Sequence, residues 1–247
     1  MVDELILGDA YKLIKLIPDK SVDLVYVDVP YEIHTHGYGR IADYKGLHKL
    51  SQDLTRENLN EGFDYSILDD FVRVCKKVYI YIWCSLKQVY PIMKYMLEKY
   101  ELNYQILSWC KINPLPFGNK QFLDDVEYCL VFYESGVDVN IGVDNKHKWF
   151  ASPLNVKDKE LYDHPTIKPL EYVSKHILNS SKEGDIVLDA FAGSGTTLVA
   201  CKELNRHYIG FEIDEHYYQI AKDRLNNITQ KEKKEIEQGK VQQETLW

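Results

Sequence analysis

Two strongly apolar stretches of the chain each run directly into a short polar or glycine-rich turn. Residues 22–27 are followed by Asp-Val-Pro-Tyr at 28–31, and residues 186–190 by Phe-Ala-Gly-Ser-Gly at 191–195. Continuous apolar runs of this length are typical of strands that are buried on both faces of a parallel sheet. Because α/β folds bind ligands beyond the carboxyl ends of such strands, both turns are predicted to lie at one functional edge.

Strand and helix patterns alternate along the chain, which predicts an α/β fold with a doubly wound, mostly parallel sheet. The predicted strands are residues 5–7, 22–27, 78–84, 105–110, 126–133, 186–190 and 208–213. The predicted helices are residues 10–17, 64–76, 87–100, 169–180, 196–204 and 215–227. The strands at 105–110 and 126–133 resemble a β-hairpin at one edge of the sheet. Tyr79, Tyr81 and Trp83 alternate along one strand and are interpreted as core residues.

The glycine-rich turn has the composition of a cofactor cradle. Small residues allow the backbone to approach a ligand, and the helix at 196–204 directs its free N–H groups toward it. Glu212 ends a predicted strand about 20 residues later, where Rossmann-like folds place a carboxylate that accepts ribose hydroxyls. This pattern leaves a nicotinamide dehydrogenase open as an alternative.

The turn at 28–31 has the groups needed to orient an exocyclic amine, whose nitrogen is a poor nucleophile because its lone pair is delocalised into the ring. Asp28 can accept one hydrogen of the amine and stabilise developing positive charge. The carbonyl of Val29 can accept the other hydrogen, and Pro30 restricts the turn so that this carbonyl is presented. Tyr31 offers a ring on which an extruded base can stack.

Four segments together resemble the amino-methyltransferases of DNA, which use S-adenosylmethionine to make N6-methyladenine or N4-methylcytosine. Residues 28–31 resemble the family's D-P-P-Y motif, and residues 188–197 resemble its cofactor loop. Residues 164–169 are similar to the segment that precedes that loop, and residues 8–9 to the contact with the cofactor adenine. The order of the motifs is that of the beta group. Val29 and Ala190 stand where the family often has proline.

The resemblance implies a site-specific DNA methyltransferase with S-adenosylmethionine as cofactor and duplex DNA as partner. The aspartate at position 28 favours N6 of a flipped-out adenine, because cytosine-modifying relatives usually have serine there. The implied catalytic residues are Asp28, Val29, Pro30 and Tyr31. The implied cofactor-binding residues are Asp9, Ala10, Asp28, Thr166, Lys168, Asp189, Phe191, Gly193, Ser194, Gly195, Thr196, Thr197 and Glu212. An N4-cytosine methyltransferase and a catalytically silent DNA-binding relative remain alternatives.

Candidate DNA contacts lie in loops and in a small insertion. The net charge of −8 is unfavourable for nucleic-acid binding, so a local basic surface is required. The candidates are His34, His36, Asn113, Pro114, Lys146, Lys148 and Trp149. His34 and His36 lack further ligands for a metal, so no metal site is predicted.

One methyltransferase domain is predicted over residues 1–230, followed by a polar tail at 231–247. Its catalytic half covers about 1–133, a recognition insertion about 134–163, and the cofactor-binding half about 164–230. The insertion is short for reading a specific DNA site, which leaves a homodimer, or a contribution from residues 32–62, open. No signal peptide or membrane-spanning run is visible, and the five scattered cysteines are typical of buried free thiols, so a cytoplasmic location is expected.

Overall fold

The computed structural model describes residues 2–32, 62–114, 122–137, 146–153 and 167–226. The strands in these residues are β1 (Glu4–Leu7), β2 (Leu24–Asp28), β3 (Tyr79–Cys84), β4 (Asn103–Lys111), β5 (Val126–Tyr133), β6 (Trp149–Ser152), β7 (Ile186–Asp189) and β8 (His207–Glu212). The helices are α1 (Ala10–Leu13), α2 (Ile67–Val74), α3 (Leu86–Lys99), α4 (Leu170–Ser180), α5 (Thr196–Glu203) and α6 (Glu215–Leu225), with a 3-10 turn at Ile14–Leu16. The predicted tail lies outside the described residues.

The strands form one sheet in the order β1-β8-β7-β2-β3-β5-β4-β6. β5 is antiparallel to both of its neighbours, and every other neighbouring pair is parallel. The carboxyl ends of β1, β8, β7, β2 and β3 therefore lie along the same edge. The mostly parallel sheet predicted from the alternating pattern is confirmed.

The central strand β2 is buried on both faces, as its continuous apolar sequence predicts. Val25 and Val27 point into a core beneath α1, α2 and α3. Leu24 and Tyr26 point into a second core beneath α4 and α5. Since both faces of the strand are covered, its one charged residue, Asp28, lies at its end.

The outermost strand on the β4 side was not predicted. Strands β4 and β5 do pair as the expected hairpin, but β5 lies between β3 and β4, and β6 adds to the edge by parallel pairing with β4. The four residues of β6 fall within the segment interpreted as an insertion. Such a short edge strand contains too few residues for periodicity to show. Phe150 is held by packing against Tyr172 of α4, with ring centroids 4.6 Å apart.

No helix among the described residues is long and apolar enough to cross a membrane. All five cysteines are free thiols, and four of them are buried.

Candidate active site

A cavity of about 410 Å³ lies at the carboxyl edge of the sheet. Its walls come from the ends of β1, β2, β3, β7 and β8 and from the segments that follow them, so the two predicted turns face the same space. The sequence-predicted residues that line it are Asp9, Ala10, Asp28, Val29, Pro30, Tyr31, Lys168, Asp189, Phe191, Gly193, Ser194, Thr196, Thr197 and Glu212.

Asp28 ends β2 and presents one paired and one unpaired carboxylate oxygen. Its Oδ2 accepts a hydrogen bond from Lys168 Nζ at 2.7 Å. Its Oδ1 is buried and has no hydrogen-bond partner in the described part of the chain. Burial raises the pKa of Asp28, the Lys168 ammonium lowers it part of the way back, and Glu127 raises it further. A buried acceptor without a partner costs roughly 1–3 kcal/mol, and a bound hydrogen-bond donor would remove that cost.

The backbone of Val29 is held although this residue is not proline. Its N–H, which proline would lack, donates to the Trp83 carbonyl at 3.2 Å, and its side chain is 2% exposed. No backbone N–H of the described residues donates a hydrogen bond to the Val29 carbonyl. Since Val29 lines the cavity, we expect this carbonyl to serve as an acceptor there.

The carbonyl of Pro30, one residue further along, is bound by a residue that the sequence patterns did not single out. Gln88 of α3 is fully buried and donates from Nε2 to this carbonyl at 2.8 Å. Its Oε1 accepts from the Ser85 N–H at 3.0 Å and from Ser85 Oγ at 2.9 Å. The first turn of α3 and the turn after β2 are therefore fixed by the same side chain.

Tyr31 is half-buried rather than freely exposed, and its hydroxyl is held in place. Lys168 Nζ donates to the Tyr31 hydroxyl at 3.0 Å, and this hydroxyl donates to Glu127 Oε2 at 3.2 Å. Burial raises the pKa of Tyr31 well above its usual value, and the nearby Asp28 and Glu127 raise it further. The ring that is expected to stack on a base is thus neutral and oriented from its hydroxyl end.

Lys168 was assigned to the cofactor by resemblance, and in the structure its ammonium is engaged on the Asp28 side of the cavity. It forms ion pairs with Asp28 at 2.7 Å and with Glu127 at 3.0 Å, and its side chain is only 6% exposed. Glu127 in turn pairs with Lys111 at 2.8 Å. Burial alone would raise the pKa of Glu127, but Lys168 and Lys111 lower it to about 2.

The glycine-rich turn after β7 is organised by Glu212 at the end of β8. The Gly193 N–H donates to Glu212 Oε2 at 2.6 Å, and the Asp214 N–H donates to Oε1 at 2.8 Å. Gly193 has a φ of 51°, a left-handed conformation that glycine adopts without steric cost. A carboxylate has about four acceptor positions, and Glu212 lines the cavity, so the residue can still accept ligand hydroxyls.

Gly195 is not among the residues that line the cavity, and its role as a cofactor contact stays a prediction. Its φ is 78°, and a Cβ at this position would lie 2.8 Å from the Cβ of Ala221 in α6. The glycine is needed because α6 packs against the start of α5. From the same helix, Arg224 Nη1 donates to the carbonyl of Ser194 at 2.7 Å and to Thr196 Oγ1 at 3.0 Å.

Two aspartates complete the cavity wall. Asp9 caps α1 by accepting from the Tyr11 N–H at 2.9 Å. Asp189 ends β7, and its Oδ1 accepts from the Phe191 N–H at 3.1 Å. Burial raises the pKa of Asp189 to about 7. The carboxylates of Asp9, Asp28, Asp189 and Glu212 thus surround one space, which suits a ligand with several hydrogen-bond donors or a positive charge.

The candidate DNA contacts do not line this cavity. Those that the structure describes are Asn113, Pro114, Lys146, Lys148 and Trp149. Trp149 begins β6 and is 56% exposed, with the His147 ring centroid 5.7 Å from its own. His34, His36 and Thr166 lie outside the described residues.

Several lining residues were missed. Trp83 was interpreted as core, and it is fully buried, but its position at the end of β3 also places it in the cavity wall beside Tyr26. Its Nε1 donates to the Tyr26 hydroxyl at 2.8 Å. The end-of-strand position was the pattern that could have identified Trp83. No pattern in the sequence identifies Glu127, because a carboxylate inside a strand is read as solvent-facing.

No group of three or more His, Cys, Asp or Glu side chains suited to a metal ion occurs among the residues that the structure describes. Chemically, the site combines a glycine-rich cradle with the Asp28 carboxylate and the Val29 carbonyl, both able to accept hydrogen bonds from an amine.

Comparison with known proteins identifies the family of the chain. The family model of the N6/N4 DNA methylases matches residues 22–223. The type II methyltransferase M.HinfI of Haemophilus influenzae is 31% identical over 247 residues, covering 90% of this chain and 67% of that protein. M.HpaI of Haemophilus parainfluenzae, also a type II methyltransferase, is 32% identical over 250 residues, covering 92% of this chain and 75% of that protein.

Two solved structures share the fold. The M1.HpyAVI–SAM complex superposes with a TM-score of 0.63 at 27% identity, covering 90% of this chain and 98% of that one. The cytosine-N4-specific PvuII DNA methyltransferase gives a TM-score of 0.66 at 18% identity, covering 96% and 91%, and shows the fold alone. From the family match over residues 22–223 and the order of its motifs, the chain belongs to the beta group of the N6-adenine and N4-cytosine DNA methyltransferases.

Proposed function

We propose that this protein transfers a methyl group from S-adenosylmethionine to N6 of an adenine flipped out of duplex DNA. The observation that supports this most directly is that Asp28 Oδ1, which has no hydrogen-bond partner among the described residues, shares one cavity with Val29 and the glycine-rich turn. Two acceptors at this position match the two hydrogens of an exocyclic amine.

The residues around the cavity fit S-adenosylmethionine. The Gly193 turn lets the backbone approach a ligand, and Glu212 and Asp9 offer carboxylates for hydroxyl and amine groups. The relative named in the M1.HpyAVI–SAM complex binds this cofactor on the same fold. When bound, S-adenosylmethionine supplies an electrophilic methyl group on a positively charged sulfur.

In the proposed mechanism, Asp28 and Val29 position the amine. Asp28 Oδ1 accepts one N–H hydrogen and the Val29 carbonyl accepts the other, which turns the nitrogen lone pair toward the cofactor side of the cavity. As the nitrogen gains positive charge, the Asp28 carboxylate stabilises it. Tyr31 and Pro30 lie beside the base and restrict its movement, so much of the rate comes from orientation.

The DNA is proposed to approach along the edge of the sheet that carries the cavity. β6 runs parallel to β4, and β4 runs parallel to β3 because both are antiparallel to β5. By register, Trp149 pairs with Ser108 of β4, whose partner in β5 pairs in turn with Cys84 at the carboxyl end of β3. The exposed Trp149 is therefore level with the strand ends that carry the cavity, and Lys146 and Lys148 come directly before it in the chain. Phosphate contacts by such a local surface are compatible with a net negative chain.

The proposal is tested by incubating the purified protein with unmethylated genomic DNA and tritiated S-adenosylmethionine, then identifying the methylated nucleoside by mass spectrometry. N6-methyladenine is the expected product. N4-methylcytosine would replace the base assignment, and cofactor binding without any transfer would indicate a silent relative.

The role of Asp28 is tested by Asp28→Ala, with Asp28→Asn as the matched variant that keeps an oxygen but removes the charge. Both variants should lose methyl transfer about 100-fold or more, as expected for loss of a direct electrostatic contact. Cofactor affinity, measured by calorimetry, should change much less. An affinity loss as large as the activity loss would contradict this division of roles.

A further inference from the structure

Four side chains of alternating charge form a continuous chain beside the cavity. Lys111 of β4 pairs with Glu127 of β5, Glu127 pairs with Lys168, and Lys168 pairs with Asp28. The N–O distances are 2.8, 3.0 and 2.7 Å, and none of the four side chains is more than about a third exposed. Two positive and two negative groups are thus buried together, which partly offsets the cost of removing them from water.

The ammonium of Lys168 is the group that the two carboxylates share. It contacts Asp28 Oδ2 and the Tyr31 hydroxyl of the turn at 28–31, and Glu127 Oε2 of β5. These contacts lie on one side of Asp28 and involve only its Oδ2. The other oxygen, Oδ1, is buried without a hydrogen-bond partner among the described residues.

Glu127 limits how far Lys168 can neutralise Asp28. If Glu127 were uncharged, the ammonium would interact with Asp28 alone and weaken it as a hydrogen-bond acceptor. If Glu127 were not held by Lys111 through Oε1, it would draw Lys168 away from Asp28. The ion pairs of Glu127 therefore balance two opposite effects on the Lys168 ammonium, which are pairing with Asp28 alone and withdrawal toward Glu127.

We propose that Glu127, held by Lys111, is a positioning residue that divides Lys168 between two carboxylates and so keeps Asp28 Oδ1 a strong hydrogen-bond acceptor for the target amine. This inference rests on the proposed methyl transfer and adds to it two residues that contact neither cofactor nor base. Neither Glu127 nor Lys111 lines the cavity.

Asp28 is faced by titratable groups from each neighbouring element. They are Lys168 before α4, Glu127 and Cys129 of β5, Cys84 of β3, Asp189 of β7 and Tyr31 after β2. Cys84, Cys129 and Tyr31 have pKa values raised by burial and stay neutral. Lys168, Glu127 and Asp189 are therefore the neighbours whose charge can alter the titration of Asp28.

The test compares Glu127→Gln and Lys111→Met in the full-length protein. The assay measures kcat against pH with unmethylated genomic DNA and tritiated S-adenosylmethionine, together with KM for the cofactor. Glu127→Gln should lower kcat about tenfold, less than loss of a direct contact, with little change in the cofactor KM. The acid limb of its kcat–pH profile should move to lower pH by about one unit. The reason is that Lys168 then pairs with Asp28 alone and stabilises its charged carboxylate.

Lys111→Met should move the acid limb in the opposite direction. Glu127, relieved of its second partner, draws Lys168 more strongly, and the Asp28 carboxylate is protonated at higher pH. Opposite displacements in two variants of one ion-pair chain are not expected from a general loss of folding. Asp69→Asn is the matched control, since Asp69 pairs with Lys99 at 2.6 Å outside the cavity. This variant should leave the kcat–pH profile unchanged.

The double variant Glu127→Gln with Lys111→Met restores the balance of charge but not the sharing of Lys168. It should stay as slow as Glu127→Gln, and a return to the wild-type rate would overturn the positioning role. If the wild type is active and Glu127→Gln has the same kcat and the same pH profile, the positioning role is also overturned. Absence of any transfer by the wild type would instead refute the proposed function, so the two failures are distinguishable.

Discussion

Two hydrogen bonds fix the turn after β2 from outside the turn itself. The Val29 N–H donates to the Trp83 carbonyl, and Gln88 Nε2 donates to the Pro30 carbonyl. The departure from the family's proline at position 29 therefore does not loosen the turn, because the additional N–H is used and the valine side chain is buried. At the scale of single residues, rigidity comes from partners on neighbouring elements.

Gln88→Met should separate this positioning from the chemistry. The change keeps the side-chain volume but leaves the Pro30 carbonyl and the Ser85 N–H without their partner, so unfolding free energy should fall by about 1–3 kcal/mol. The kcat for methyl transfer should fall as the turn moves, while cofactor affinity by calorimetry stays near the wild-type value. Gln105→Met is the control, because Gln105 bonds Tyr133 outside the cavity. A normal kcat in Gln88→Met would refute the positioning.

At the scale of elements, helix α6 determines the shape of the cofactor loop. Ala221 occupies the space beside Gly195, and Arg224 bonds the Ser194 carbonyl, the Ser194 hydroxyl and the Thr196 hydroxyl. Both contacts act on residues that come directly before and at the start of α5. The loop is therefore shaped by packing between two helices as well as by its glycines.

Arg224→Lys should weaken cofactor binding about tenfold, since one ammonium cannot reproduce the planar, branched set of guanidinium hydrogen bonds. Arg206→Lys is a closely matched control: Arg206 is also buried and bonds Ser181 and Leu204, away from the cavity. Both variants should lose comparable stability in thermal unfolding. Calorimetry should find reduced cofactor affinity in Arg224→Lys alone, and equal affinities in the two variants would exclude this role for α6.

At the scale of the whole molecule, buried titratable groups contribute opposing pH dependences to stability. Burial lowers the pKa of His176 to about 3, whereas burial raises the pKa of Asp189 to about 7. Between these two folded-state pKa values, His176 takes up a proton in the unfolded chain but not in the folded one, which destabilises the fold as the pH falls. Over the same range Asp189 takes up a proton in the folded chain, which stabilises the fold as the pH falls. The two contributions offset each other.

His176→Phe removes the histidine contribution. The difference in unfolding free energy between this variant and the wild type, followed against pH, should therefore show that contribution. Below its unfolded pKa of 6.5, the wild type loses about 1.4 kcal/mol per pH unit at this site, so the variant should gain roughly 2 kcal/mol relative to the wild type between pH 7 and pH 5. Between pH 7 and pH 8 the difference should be constant. Chemical denaturation at each pH measures this, and a difference independent of pH would show that His176 titrates normally when folded.

The parts of the fold that were predictable are those with strong local patterns. β2, β3, β7 and their turns were identified because buried parallel strands are continuously apolar and end in recognisable residues. β6 was missed because four residues at an edge leave no period to detect. The antiparallel pairing of β4 and β5 was predicted as a hairpin, but the position of β5 between β3 and β4 was not, since strand order depends on contacts between distant segments.

The sequence of this protein was sufficient for the fold class, the two turns and the family, because local motifs and hydrophobic periodicity are written in consecutive residues. Tertiary structure alone determined that Asp28 shares Lys168 with Glu127, that Gln88 holds Pro30, and that Gly195 faces Ala221 rather than the cavity. These contacts join residues 26 to 140 positions apart. Their pairing depends on how the sheet and helices pack, and no local pattern specifies that packing.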